Sequence, residues 1–137
     1  MRVVIDTNVI ISALFFGRLP DELLELALNR KIKAVASAEI ITEYENTDKE
    51  LARKAKRRTI NKALANILEP FEIIITKSKI DVCRDPDDNK FIACAIDGKC
   101  KYIVSGDNDL LDIKSFNNIE VVTVREFLNE YRGNRAK

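Results

Sequence analysis

The 137 residues are 46% hydrophobic and 33% charged, with 23 Lys and Arg against 22 Asp and Glu. That is enough chain for one domain with a true core, too apolar for a disordered segment and too evenly charged for a polybasic one, although charge segregated into patches is still allowed. The sequence has no His and only three Cys, with no Cys-x-x-Cys pair, which excludes Ser-His-Asp and Cys-His catalysis, most zinc chemistry and a disulfide framework.

No apolar run approaches the ~20 residues of a membrane span. Arg2 is followed by only three apolar residues before Asp6, too few for a secretory leader. The expected setting is the reduced cytoplasm, without a membrane.

Five short apolar runs predict strands: Val3–Ile5, Ile32–Ala36, Phe71–Ile75, Tyr102–Val104 and Val121–Val124. They do not alternate cleanly, as expected of strands covered on both faces. Helical patterns fill the gaps. Residues 8–14 follow Asp6. Pro20-Asp21 opens Glu22–Arg30. Ser37 is placed to cap Ala38–Asn46, and Thr59–Leu68 carries apolar residues at helical spacing. Asp85-Pro86 reads as an N-cap with Pro at the first helical position, leading into Phe91–Ile96, and Thr123 reads as the cap of Arg125–Tyr131. Phe15, Phe16, Phe71 and Phe91 read as core. The alternation predicts a three-layer α/β/α domain over residues 1–131, with a central parallel sheet of about five strands and a polar, frayed tail at 132–137.

The acids fall in a pattern. Asp6 directly follows the first strand, where open α/β sheets place their chemistry, although Asp there also serves as an N-cap. Asp107 and Asp109 repeat that arrangement after Tyr102–Val104, with Gly106 as a tight exit; an ordinary Asx turn explains the same residues. Glu43 lies about 60° from Ile40 around its helix, at the border of the buried stripe. Asp88 precedes Phe91 by three residues and Ile92 by four, so it shares their inward face, and Asn89 projects inward equally well. Carboxylates gathered at one sheet edge would raise one another's pKa values unless a cation neutralised them. Without His or paired Cys, the expected cation is Mg²⁺ or Mn²⁺. An ion of that kind acidifies bound water and holds a phosphate in line, the logic of metal-dependent phosphodiester hydrolysis.

Four blocks together resemble the PIN-domain family: Val4-Ile5-Asp6-Thr7-Asn8-Val9, Ser37 through Glu43-Tyr44, Arg84-Asp85-Pro86-Asp87-Asp88-Asn89-Lys90-Phe91, and Tyr102 through Leu111. The likeness runs from Met1 to about Leu128 and is nearest to the VapC-like toxins of prokaryotic toxin–antitoxin pairs. It implies a Mg²⁺- or Mn²⁺-dependent ribonuclease on a parallel α/β/α sheet, acting on RNA, with a cognate antitoxin and a homodimeric assembly. It implies catalytic Asp6, Glu43, Asp88 and Asp107, and metal contacts from Asp6, Asp88, Asp107 and Asp109, the last acid of the family falling on Asp107 or Asp109. Asp6 and Asp107 would ligate directly, Glu43 and Asp88 through water. The third acid of the family falls in the Asp88-Asn89 pair: VapC-type spacing places it at position 89, which is Asn here, and Asp88 is the adjacent carboxylate available for the role, so the exact third ligand stays open between them. Asn8, Asn89 and Ser105 fall where the resemblance puts small polar groups near the metal or the substrate.

The densest basic stretch, Lys49 to Lys62, offers Arg53, Arg57 and Arg58 as RNA contacts, although such helices are commonly just solvated. The apolar residues Ile10, Ile11, Leu14, Phe15 and Phe16 are a candidate dimer surface that core packing explains equally well. The main alternative is a non-catalytic PIN-like module that binds RNA or a protein. A haloacid-dehalogenase-type phosphatase needs Asp-x-Asp after the first strand, where position 8 is Asn; a receiver domain needs an acceptor Asp after the third strand, where Thr76 and Lys77 stand.

Overall fold

A computed structural model describes residues 1–54 and 63–136, with the backbone alone from residue 134. The chain opens with β1 (Arg2–Ile5), α1 (Thr7–Phe15), α2 (Leu19–Leu28), β2 (Lys33–Ser37) and α3 (Ala38–Lys54), followed by α4 (Leu64–Leu68) and β3 (Glu72–Ile74). A 3₁₀ turn at Pro86–Asp88 runs into α5 (Asn89–Asp97); β4 (Tyr102–Val104), α6 (Asn108–Leu111), β5 (Ser115–Phe116), β6 (Ile119–Val122) and α7 (Val124–Ala136) complete the chain.

The strands form one sheet in the order β3-β2-β1-β4-β6-β5. Every pair is parallel except β5–β6. The expected α/β sheet is therefore present, mostly parallel and with six strands among the described residues. The strand missing from the sequence reading is β5. It forms a hairpin with β6 around Asn117-Asn118, both with positive φ (49° and 66°), the backbone of a two-residue turn that matches strand twist. The last strand consequently starts at Ile119, two residues before the expected start at Val121, and ends at Val122.

Burial explains the weak alternation of the runs. Val3, Val4 and Ile5 of β1 and Ile103 and Val104 of β4 are fully enclosed, covered on both faces by helices. One half-buried ion pair ties the sheet across β2: the Arg2 guanidinium grips Glu72 through Nη1 and Nη2 at 3.0 and 2.8 Å, and its Nε donates to the Gly98 carbonyl at 2.7 Å.

The expected caps form. Ser37 Oγ accepts from the Ile40 N–H, Asp85 accepts from the Asp87 N–H, and Thr123 and Glu126 make a reciprocal capping box. Other expectations are corrected. Helix α7 runs from Val124 to Ala136, so the segment expected as a tail begins inside it. Only Leu64–Leu68 of the helix expected over 59–68 lies in a described helix; residues 59–62 lie outside the described residues. Phe16 is 75% exposed, because α1 has ended and the chain turns through Gly17 at positive φ, whereas Ile10, Ile11 and Leu14 are core and so supply no dimer surface. Gly106 has no left-handed φ and open space where a Cβ would sit, so the exit from β4 does not depend on glycine.

Candidate metal centre

The sheet order brings two strand ends together. β1 lies beside β4 in the register Ile5↔Val104, so Asp6 and Ser105, each one step past its strand, face each other. Here the strand order departs in both directions, toward β2 on one side and β6 on the other, which is where open α/β sheets form a crevice. The buried polar side chains among the described residues are Asp6, Thr7, Ser37, Asp88 and Ser105. Buried polar groups cost free energy unless paired, so their gathering at one sheet edge marks the site.

Asp6 occupies the N-cap position of α1, but its side chain makes no capping hydrogen bond. It instead accepts from Ser105 Oγ at 2.7 Å, and Ser105 Oγ in turn accepts from the Asp107 N–H at 2.9 Å. Burial pushes the Asp6 carboxyl above its ordinary range, Ser105 opposes the shift, and Asp107 and Glu43 add to it.

Asp88, Asp107 and Asp109 each place a carboxylate oxygen within 4.8 Å of the other two. Asp107 also caps the short α6 by accepting from the Asp109 N–H, so the turn-forming role and the clustering coexist. Asp88 is the most perturbed member. It is buried, its Oδ2 has no hydrogen-bond partner, and its carboxyl is pushed up to about 7 by burial first and then by the facing Asp107. A buried, unpartnered carboxylate oxygen facing two more acids fits a hard divalent cation with oxygen ligands.

Glu43 stands on α3, whose position is fixed by the buried Tyr44 hydroxyl donating to the Ile5 carbonyl at the end of β1. Thr7 Oγ1 donates to Glu43 Oε2, and Lys90 Nζ pairs with Oε1 at 2.6 Å. Across the cluster, Arg84 bridges Asp109, at 3.3 Å, and Asp112. Thr7, Lys90 and Arg84 were not among the expected site residues. Thr7 directly follows Asp6 and Lys90 comes two after Asp88, so proximity to the acids was the available signal.

Asn89 does not join the acids. Its Oδ1 accepts from the Val82 and Cys83 N–H groups at 3.2 and 3.0 Å, fixing the loop before the 3₁₀ turn. The side chain that reaches the cluster is Asp88. Asn8 is exposed and lines a cavity of about 200 Å³ with Val9, Ser12, Pro20, Ser105 and Gly106. Arg53 is exposed near the end of α3, on an open groove with Asn46, Lys49 and Glu50. Arg57 and Arg58 lie outside the described residues. No described helix is long and apolar enough to cross a membrane.

A family profile described as PIN domain matches residues 2–109. The chain is also 35% identical to the uncharacterized protein MJ1680 of Methanocaldococcus jannaschii, in an alignment covering 96% of this chain and 92% of that one.

Proposed function

This chain belongs to the PIN domain family, whose members are generally metal-dependent nucleases, and from that premise we propose that it is a Mg²⁺- or Mn²⁺-dependent ribonuclease hydrolysing RNA phosphodiester bonds. The observation that carries the reading is Asp88: a buried carboxylate with an unpartnered oxygen, facing Asp107 and Asp109. These three residues hold the ion, with Asp6 as the adjoining fourth carboxylate. A bound divalent ion supplies an acidified water and neutralises charge on the phosphate. Asp6, buried and oriented by Ser105 beside these acids, would take a proton from the attacking water. Glu43 is held by Thr7 and Lys90, close enough to Asp6 for the two charges to interact.

RNA requires positive charge beside the acids. Arg53 stands ten residues beyond Glu43 on α3, about 15 Å along the helix axis at 1.5 Å per residue. A strand leaving the crevice toward that end would bring its phosphates to Arg53; Arg57 and Arg58 are offered as RNA contacts by the sequence alone.

The VapC-like likeness supports a cytoplasmic toxin with a cognate antitoxin, and the exposed Phe16 is the apolar contact offered for a homodimer. A small reading frame directly upstream supports the toxin role; its absence argues against it. The nuclease reading is tested by RNA cleavage with Mn²⁺, comparing the wild type with Asp6→Asn. Mn²⁺-dependent cleavage lost in the variant supports it, and equal cleavage by both rejects it.

A further inference from the structure

Glu43 is met by a sheltered cation, whereas of the three clustered acids Asp109 meets only the exposed Arg84, at 3.3 Å. Its two oxygens are both engaged, Oε1 by the Lys90 ammonium at 2.6 Å and Oε2 by the Thr7 hydroxyl. Lys90 is well sheltered, with 16% of its side chain exposed, and is pinned a second time by donating to the Asp87 carbonyl at 2.7 Å. This arrangement is built, not a loose surface pair: Lys90 lies in the first turn of α5, directly after the 3₁₀ turn that carries Asp88, and Glu43 is fixed by Tyr44 locking α3 onto β1. A divalent ion bound to Oε1 at ~2.1 Å would stand within about 5 Å of the ammonium, where two cations repel strongly out of bulk water.

We propose that Lys90 is a built-in cation that occupies the place of a second metal ion, so that Glu43 is neutralised by the protein and the crevice binds a single divalent ion on Asp88, Asp107 and Asp109. The proposal rests on the metal-dependent reading above and sharpens it. Lys90 is a positioning residue: it fixes Glu43 and sets the number of ions, and two of its three N–H donors are spent doing so.

Mn²⁺ binding to the full-length chain, counted by calorimetry and by electron paramagnetic resonance of free Mn²⁺, tests this without any turnover. The wild type is expected to bind one ion per chain. Asp107→Asn should weaken binding by at least about tenfold, whereas Glu43→Gln should keep one ion and change its affinity by less than about threefold. Lys90→Met frees the Glu43 carboxylate and should tighten Mn²⁺ binding or admit a second ion; Lys90→Arg should restore the single site. A role confined to packing would leave Mn²⁺ affinity unchanged or weaken it in Lys90→Met. Two ions in the wild type, a Glu43→Gln loss as large as that of Asp107→Asn, or unchanged or weaker binding in Lys90→Met would overturn the proposal and leave the metal-dependent reading standing. No bound Mn²⁺ in the wild type would overturn that reading, and the proposal with it. Should Lys90→Met fail to fold, the wild-type count and the Glu43→Gln comparison still decide.

Discussion

Ser105 Oγ donates to Asp6 Oδ2 at 2.7 Å and accepts from the Asp107 N–H at 2.9 Å, so one hydroxyl sets the orientation of acids from two adjacent strand ends. Hydrogen-bond partners that orient metal-site carboxylates typically contribute ~10–100-fold to affinity or activity. Ser105→Ala should therefore lower RNA cleavage by about that factor. Ser105→Thr, which keeps the hydroxyl, should lose less if the added methyl is accommodated. Steady-state cleavage rates beside a circular-dichroism melt check this: a full loss of fold in Ser105→Ala would assign the serine to stability instead.

Stability of the metal-free protein should fall with rising pH. The Asp88 carboxyl moves from 3.8 to about 7 in the folded chain, so the folded state holds that proton more tightly than the unfolded state does. For a raised pKa the contribution is complete below the unfolded value and is lost as pH climbs through the folded value, here between about 4 and about 7. Asp6 is shifted the same way. Thermal melts in chelator should show a lower midpoint at about pH 8 than at about pH 6, with the difference reduced in Asp88→Asn. Mn²⁺ affinity should strengthen over the same window, because the ligand must shed its proton before binding. A wild-type midpoint that rises with pH in chelator would contradict the account.

Asn89 and Asp88 are neighbours with separate tasks. Removing the Asn89 amide leaves the part-buried Cys83 N–H unpaired and the exposed Val82 N–H to water, and Asn89→Ala should cost about 1 kcal/mol. Mn²⁺ affinity should stay near wild type. Urea denaturation paired with Mn²⁺ titration separates the effects; a large loss of affinity with unchanged stability would return Asn89 to the metal site.

Gly98 ends α5 in close quarters. A Cβ there would lie 2.8 Å from the Cys94 carbonyl oxygen and 2.9 Å from Val35 Cγ1, and the Gly98 carbonyl also receives Arg2. Gly98→Ala should destabilise by ~1–3 kcal/mol through overpacking, read as a lowered denaturation midpoint. An unchanged midpoint would mean that α5 shifts freely, which its seat against the sheet argues against.

Much of this arrangement was legible in the sequence because two patterns are local: an apolar run closely followed by an acid, directly at Ile5-Asp6 and three residues on from Val104 at Asp107, and an acid at helical spacing from buried residues, at Asp88 with Phe91 and Ile92. The hairpin at Asn117-Asn118 was missed although its turn dipeptide is a recognisable signal, because β5 has only two residues and shows no periodicity. Phe16 was misplaced because hydrophobicity says nothing of where a helix stops. The meeting of Lys90 with Glu43 could not be read from spacing at all. It depends on how α5 and α3 pack, and a search confined to acids passes over the cation between them.

Asp88, Asp107 and Asp109 are proposed as the divalent-ion site of a nuclease. Cleavage of a labelled single-stranded RNA by wild type and Asp88→Asn, each with Mn²⁺ and with chelator, tests it most directly. Cleavage is expected from the wild type only with Mn²⁺, with a loss of at least about a hundredfold in Asp88→Asn while the fold is retained. Cleavage that persists in chelator, or equal rates for the two proteins, would contradict it.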